Sequence, residues 1–145
     1  MSLDDIRGGI ETALGAWTGT LDGEALVIRP VQEIDNAPAV SGNAMAAMVE
    51  WNGANYLVAH NDQTNDATMR IVILAGRVSE RAARRRLDLL VDPSPRSTTA
   101  LRNFLNGDLG GAVGFCQVAT ASEYRNYNVG EADYLGCEFT VVIGT

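Results

Sequence analysis

The chain has 145 residues, of which 46% are hydrophobic and 20% charged, and its formal net charge is −7. A chain of this length makes one domain, burying roughly 68–70% of its unfolded surface without a disulfide or metal as a staple. No apolar run approaches the ~20 residues of a membrane span, and the acidic balance argues against a nucleic-acid reader whose affinity comes from neutralising phosphates.

The opening segment, MSLDDIRGG, is acidic and lacks the apolar core of a signal peptide, so the expectation is synthesis and work in the cytoplasm, with any later location reached by assembly. All 11 basic residues are arginine, which a GC-rich coding sequence explains better than selection for bidentate ion pairs.

Ser2 to Trp17 predicts a first helix, with Leu3, Ile6, Ile10, Ala13, Leu14 and Trp17 at helical spacing. Ser2 suits the N-cap and Asp4 and Asp5 the first turn, whereas Gly8 and Gly9 each cost about 1 kcal/mol against Ala. Asp22-Gly23 marks a turn, followed by a short strand from Ala25 to Arg29 that ends at Pro30. Val31 to Asn43 has no period and contains Pro38 and Gly42, which predicts an irregular connection reaching away from the body.

Ala44 to Trp51 and Asn55 to His60 flank Asn52-Gly53, a strong hairpin signal because a type I′ turn needs positive φ at both central residues. Asn61 to Asp66 is then a polar loop. Ile71 to Ala75 is apolar at every position, which predicts a strand covered on both faces. Gly76 releases the chain, and Ser79 caps a helix that turns Ala83, Leu87, Leu90 and Val91 inward. Arg81, Arg84, Arg85 and Asp88 fall on its wet side, and Pro93 and Pro95 stop it.

Ser97 is expected to cap another helix, Thr98 to Asn106, with Ala100, Leu101, Phe104 and Leu105 inward and Gly107 as its stop. Val113 to Ala121 predicts a strand, and Tyr124 to Val129 a further one. After a turn at Gly130 to Ala132, Tyr134 to Ile143 closes the chain with alternating apolar and polar positions. Buried free thiols are expected at Cys116 and Cys137; a disulfide between them requires the last hairpin to turn near Asn126, and Gly130 to Ala132 is the better turn.

The expected fold is α+β: one mostly antiparallel sheet with three helices packed on one face. Three helices cover one side only, while the strands at 44–51 and 71–75 are apolar on both. No remaining segment has the length to cover the second side, so a partner or further copies of the chain are expected to do so, which predicts self-association. Met45, Met48 and the basic helix residues Arg81, Arg84 and Arg85 are the interface candidates. The cluster that also includes Arg86 would meet acidic loops of a neighbour in head-to-tail contacts around a ring.

Signals of catalysis are weak. His60 and Asp62 could supply two metal ligands, but a lone His-x-Asp is more often a solvated strand end. Asp62, Asn65 and Asp66 resemble part of a calcium loop that lacks its glycine and its distant bidentate Glu. There is no GxSxG, no phosphate-binding glycine loop and no paired carboxylates on one face. The expectation is a protein that is not an enzyme and uses no metal or cofactor.

The remaining motifs run from a strand through Gly76-Arg77, Ser79, Arg81, Ala83, Leu87-Asp88 and Asp92-Pro93-Ser94 to a closing strand from Tyr134 to Val141. In that order they resemble the tail terminator proteins of long-tailed, siphovirus-type bacteriophages, especially those of actinobacterial phages. The C-terminal half carries the match; the N-terminal helix and the Pro38 region agree in layout only.

The resemblance implies a tail-terminator-like fold and a structural role in the virion. A ring, expected to be a hexamer, would cap the major tail tube protein, end tube polymerisation and join the head–tail connector or stopper. Assembly would take place in the host cytoplasm, with DNA passing through the lumen without specific binding and no membrane involved. An acidic lumen would let DNA slide, and Asp62, Asp66, Glu131 and Asp133 are candidates for lining it or for docking loops. The alternatives are another phage neck protein, such as a head-closure, stopper or tail-completion ring, and, more remotely, a small cytosolic enzyme.

Overall fold

A computed structural model describes residues 2–32, 40, 42–55, 66–107, 109–111 and 113–144. The chain is α+β, with a seven-stranded open sheet and three helices. In chain order the elements are α1 (Leu3–Gly15), β1 (Thr18–Leu21), β2 (Glu24–Val31), β3 (Ala44–Asn55), β4 (Asp66–Arg77) and α2 (Arg81–Val91). There follow a single-turn α3 (Leu101–Phe104), a 3₁₀ turn at Leu109–Gly111, then β5 (Phe115–Ala121), β6 (Arg125–Val129) and β7 (Ala132–Gly144).

The sheet order is β1-β2-β3-β4-β7-β5, with β6 also paired to β7. Only β2 and β3 run parallel; every other described pair is antiparallel. The long strand β7 serves two partners along one edge, β5 over its C-terminal half and β6 over its N-terminal half.

Sequence sets several of these boundaries directly. Ser2 caps α1 in a reciprocal box, its hydroxyl accepting from the Asp5 N–H while the Asp5 carboxylate accepts from the Ser2 N–H, both at 3.1 Å. Asp22 and Gly23 turn the β1–β2 hairpin with φ of 52° and 82°, the pair of positive values a tight primed turn requires. β1 itself is an addition to the expected strands, and β2 continues through Pro30 to Val31.

Asn52-Gly53 does not turn a hairpin. β3 runs on through it to Asn55, with a register shift between Trp51 and Ala54, and pairs with β4 from Ala46↔Leu74 to Asn55↔Asp66. Gly53, at φ 113°, serves this irregularity within a strand, the other common use of a strand glycine. The expected strand from Asn55 to His60 and the loop to Asp66 lie outside the described residues, apart from the backbone at Asn55 and Asp66.

Two helix starts also differ from expectation. Glu80, not Ser79, precedes α2, without a side-chain cap, because Val78 N–H donates to Asp133 O and Glu80 N–H to Arg77 O, which holds 77–80 as a turn. The segment from Thr98 is an open turn in which Ala100 N–H donates to Ser97 Oγ at 3.1 Å, so helix forms only at 101–104. Phe104 consequently faces out, 37% exposed, where an inward position was expected.

The main core lies between the sheet and the helices. Met45, Ala47 and Val49 of β3, Met69, Ile71, Ile73 and Ala75 of β4, and Cys137, Phe139, Val141 and Ile143 of β7 face Ile6, Ile10, Leu14, Ala83, Leu87 and Leu90. Trp17, fully buried, stitches this layer to the 97–100 turn by donating from Nε1 to Thr99 O at 2.9 Å.

As expected for a strand covered on both faces, every residue from Ile71 to Ala75 is buried. The second cover, however, comes from the chain itself. Leu74 packs with Val129 and Tyr134, with Val40, Tyr127 and Ala132 around them. Further along the same face the residues become polar: Arg70 Nε donates to Glu50 at 2.8 Å and lies 3.9 Å from Glu138, which also accepts from Arg125 at 3.1 Å. This small cluster and row of ion pairs correct the expectation that no segment was left to cover that side. The requirement for another copy over it falls away.

Candidate assembly interface

The sheet has two chemically distinct ends. At one, Arg77 is paired in register with Tyr134; at the other, Asp66 and Phe115 each pair with Gly144. The twelve residues of β4, at about 3.3 Å each, separate the two ends by roughly 36 Å.

The arginines of α2 divide by environment, which their shared sequence cluster does not reveal. Arg85 is paired with Asp22 of the β1–β2 turn, Nη2 lying 3.0 Å from Oδ1, and this hydrogen bond holds the Asp22 carboxyl below its usual range. Arg86 is buried, donating from Nη1 to Ala75 O at 2.8 Å and from Nη2 to Gly42 O at 2.7 Å. Arg81 and Arg84 are exposed, and among the described residues neither has an acid within ion-pair distance.

Arg81 and Arg84 instead line a hollow of about 270 Å³ with Val78, Ser79, Glu80, Asn126 and Leu135, at the Arg77 end of the sheet. Its apolar wall includes Val78, 42% exposed. Glu80, the one acid in the lining, lies 3.9 Å from Arg86 Nη1 and so is partly neutralised.

At the Gly144 end, a cleft of about 900 Å³ separates α1 from the segment after α3. It is lined by Asp4, Asp5, Gly8 and Thr12 on one side and by Phe104, Asn106 and Leu109 on the other. Gly107 bridges to Cys116 beside it, which fixes the first turn of α1 at this end. Leu3, in that turn, is 38% exposed.

The other interface candidates are placed differently. Met45 is fully buried beneath α1 and belongs to the chain's own core, which takes its side chain out of reach of another molecule; Met48 is half-buried on the ion-paired face. The candidate lumen or docking-loop acids that are described lie at both ends of the sheet. Glu131 and Asp133 are exposed at the β6–β7 turn, the Arg77 end, where Asp133 accepts from Asn128 at 2.9 Å, while Asp66 begins β4 at the opposite end. Asp62 lies outside the described residues, as do His60 and Asn65.

Both cysteines are free and buried, and burial pushes the Cys116 thiol up to about 11 and the Cys137 thiol up to about 12. Cys116 sits opposite Ile143 and Cys137 opposite Ile73, six positions apart along β7, too far for a bridge. Among the described residues no three His, Cys, Asp or Glu side chains group as metal ligands, and no helix is long and apolar enough to cross a membrane.

No family model matches the chain, and neither does any curated protein.

Proposed function

We propose that the chain is a structural virion protein resembling phage tail terminators. In this reading, copies form a ring, expected to be a hexamer, that caps the tail tube, ends its polymerisation and joins it to the head connector. DNA passes through the ring without being read.

One observation carries most weight. The resembling motifs are spread over residues 71–141 in sequence, yet apart from Ser79 and Asp92-Pro93-Ser94, which flank α2, they fall on β4, α2 and β7, which pack together as one unit: Ile73 and Ala75 join Cys137 and Phe139 in one core with Ala83, Leu87 and Leu90. A likeness concentrated on mutually packed elements is what a shared fold produces, whereas chance matches need not meet in space. The two unlike ends of the sheet add support, because termination needs a protein with one face that docks and another that refuses a further tube ring.

The experiment is native mass measurement of the purified chain, alone and with tail-tube subunits, combined with imaging of the tubes. The reading expects a closed oligomer and tubes that stop growing once a ring sits on one tip. Binding to filled heads with no effect on tubes would assign another neck role, and a chain that stays monomeric and ignores both would overturn the ring reading.

A further inference from the structure

The hollow at the start of α2 and the first turn of α1 are complementary and lie at opposite ends of the sheet. The hollow offers an apolar wall, Val78 and Leu135, beside two arginines without acidic partners among the described residues. The first turn of α1 offers an exposed leucine, Leu3, next to Asp4. Asp5 is committed to the capping box, and Asp4 is exposed and makes no ion pair among the described residues.

Within one molecule these features cannot meet across roughly 36 Å of β4. We infer that the hollow lined by Val78, Arg81, Arg84 and Leu135 receives Leu3 and Asp4 of a second copy, so that copies join head to tail. This rests on the self-associating reading above and names the contact it would use.

Charge selects the occupant. In a chain of net charge −7, Arg81 and Arg84 form a local cationic patch, and the occupant must bring a carboxylate together with a small apolar group. The hollow, at about 270 Å³, has room for a leucine side chain with a carboxylate at its rim. Burying Leu3 against Val78 removes apolar surface from water on both copies, and the Asp4–arginine pairs fix orientation. Because the surfaces are unlike, each joined pair still presents one free hollow and one free α1 turn. Such a contact repeats from copy to copy, and closes into a ring when the rotation it sets between copies divides a full turn.

The test uses the full chain with nothing added before Met1, in two variants: Asp4→Arg, and the double change Arg81→Asp with Arg84→Asp. All three side chains are exposed, so circular dichroism should show both variants folded. Sedimentation velocity should show the unchanged chain assembled and each variant alone at least about tenfold weaker in self-association, since each sets like charges face to face. Mixed one to one, the variants should reassemble, because the reversed turn of one suits the reversed hollow of the other. Assembly of either variant at the unchanged chain's strength, or failure of the mixture to recover, overturns this contact while leaving the ring reading in place. A monomeric unchanged chain overturns both.

Discussion

Arg86 is the residue whose role departs most from its neighbours in sequence. Its guanidinium is buried under the β4–α2 junction and ties the end of β4, through Ala75 O, to the connection before β3, through Gly42 O. Replacing it with Met of similar length leaves two carbonyls without their donor, so Arg86→Met should lose about 2–4 kcal/mol, read from the urea midpoint at constant m-value. Arg86→Lys should recover little, because one ammonium cannot hold two carbonyls in the planar fork that a guanidinium spans. Full stability in either variant would contradict the strut. The helical wheel contained this information: position 86 sits between Ala83 and Leu90 on the inward face, but charge suggested solvent.

Gly136 makes the same point about space. A Cβ there would lie 2.3 Å from Ile73 O and 3.0 Å from Leu74 Cδ2, in the middle of the sheet, and backbone cannot retreat as a side-chain tip can. Gly136→Ala should therefore destabilise by about 3 kcal/mol, the upper end for overpacking, with a matching drop in thermal midpoint. Within the Tyr134 to Val141 motif this glycine is thus explained by close packing of β7 on β4. No pattern in a single sequence reports that distance.

At the level of elements, the two Asx-Gly pairs show what a turn signal can and cannot decide. Asp22-Gly23 does turn a hairpin, because Thr18–Leu21 and Glu24–Val31 can pair across it. Asn52-Gly53 has the same dihedral freedom, but Glu50 is held opposite Arg70 and Trp51 opposite Met69, so the strand's partner comes from β4. The dipeptide permits reversal; long-range pairing decides whether it happens. The same gap hid β1, four residues whose only sequence signal is the turn they enter.

Helix α1 was legible because local signals agree: the cap, the acids of the first turn and the period of Ile6, Ile10 and Leu14 all mark one helix. Gly8 is the exception, since it costs helix propensity and a Cβ there meets nothing within 4 Å. Gly8→Ala should raise unfolding free energy by about 1 kcal/mol, measurable by urea titration; a loss of stability would mean that the α1 surface is occupied in the folded chain.

For the whole molecule, sequence gave the class, α+β with helices on one face, from periodicity and order alone. It misjudged the second face for a reason that counting apolar residues conceals. Ala46 and Leu74 on that face are buried, but along the strands the row gives way to Glu50, Arg70 and Glu138, charges that lie on three different strands until those strands pair. The hollow near Arg81 was half legible: the arginine cluster was visible, whereas the separate fates of Arg84, Arg85 and Arg86 required knowing that Asp22 and Gly42 arrive beside two of them.

The buried thiols and tyrosines set how this molecule responds to alkali. Burial raises Cys116 to about 11 and Cys137 to about 12 from an ordinary 9.0, and raises Tyr127 to about 12 from 10.0; Tyr124, desolvated and donating to Asp88 at 2.5 Å, also moves up. Each group is protonated in both states below pH 9, so none of them makes stability depend on pH there. Above about pH 9 the unfolded chain loses these protons while the folded chain holds them longer, Cys116 to about 11 and Cys137 to about 12, so unfolding releases protons and stability falls as pH rises through that window. The urea midpoint should hold steady from pH 7 to about 8.5 and decline beyond 9, and the decline should be shallower in a Cys137→Ala variant compared with its own neutral-pH value. In the same frame, a thiol reagent at pH 8 should label Cys116 and Cys137 only as fast as the chain opens, because the thiolate it attacks is suppressed and shielded in the fold. Labelling without denaturant at the rate of a free thiol would show that the β5–β7 side of the core opens locally, and the alkaline decline would then have to come from elsewhere.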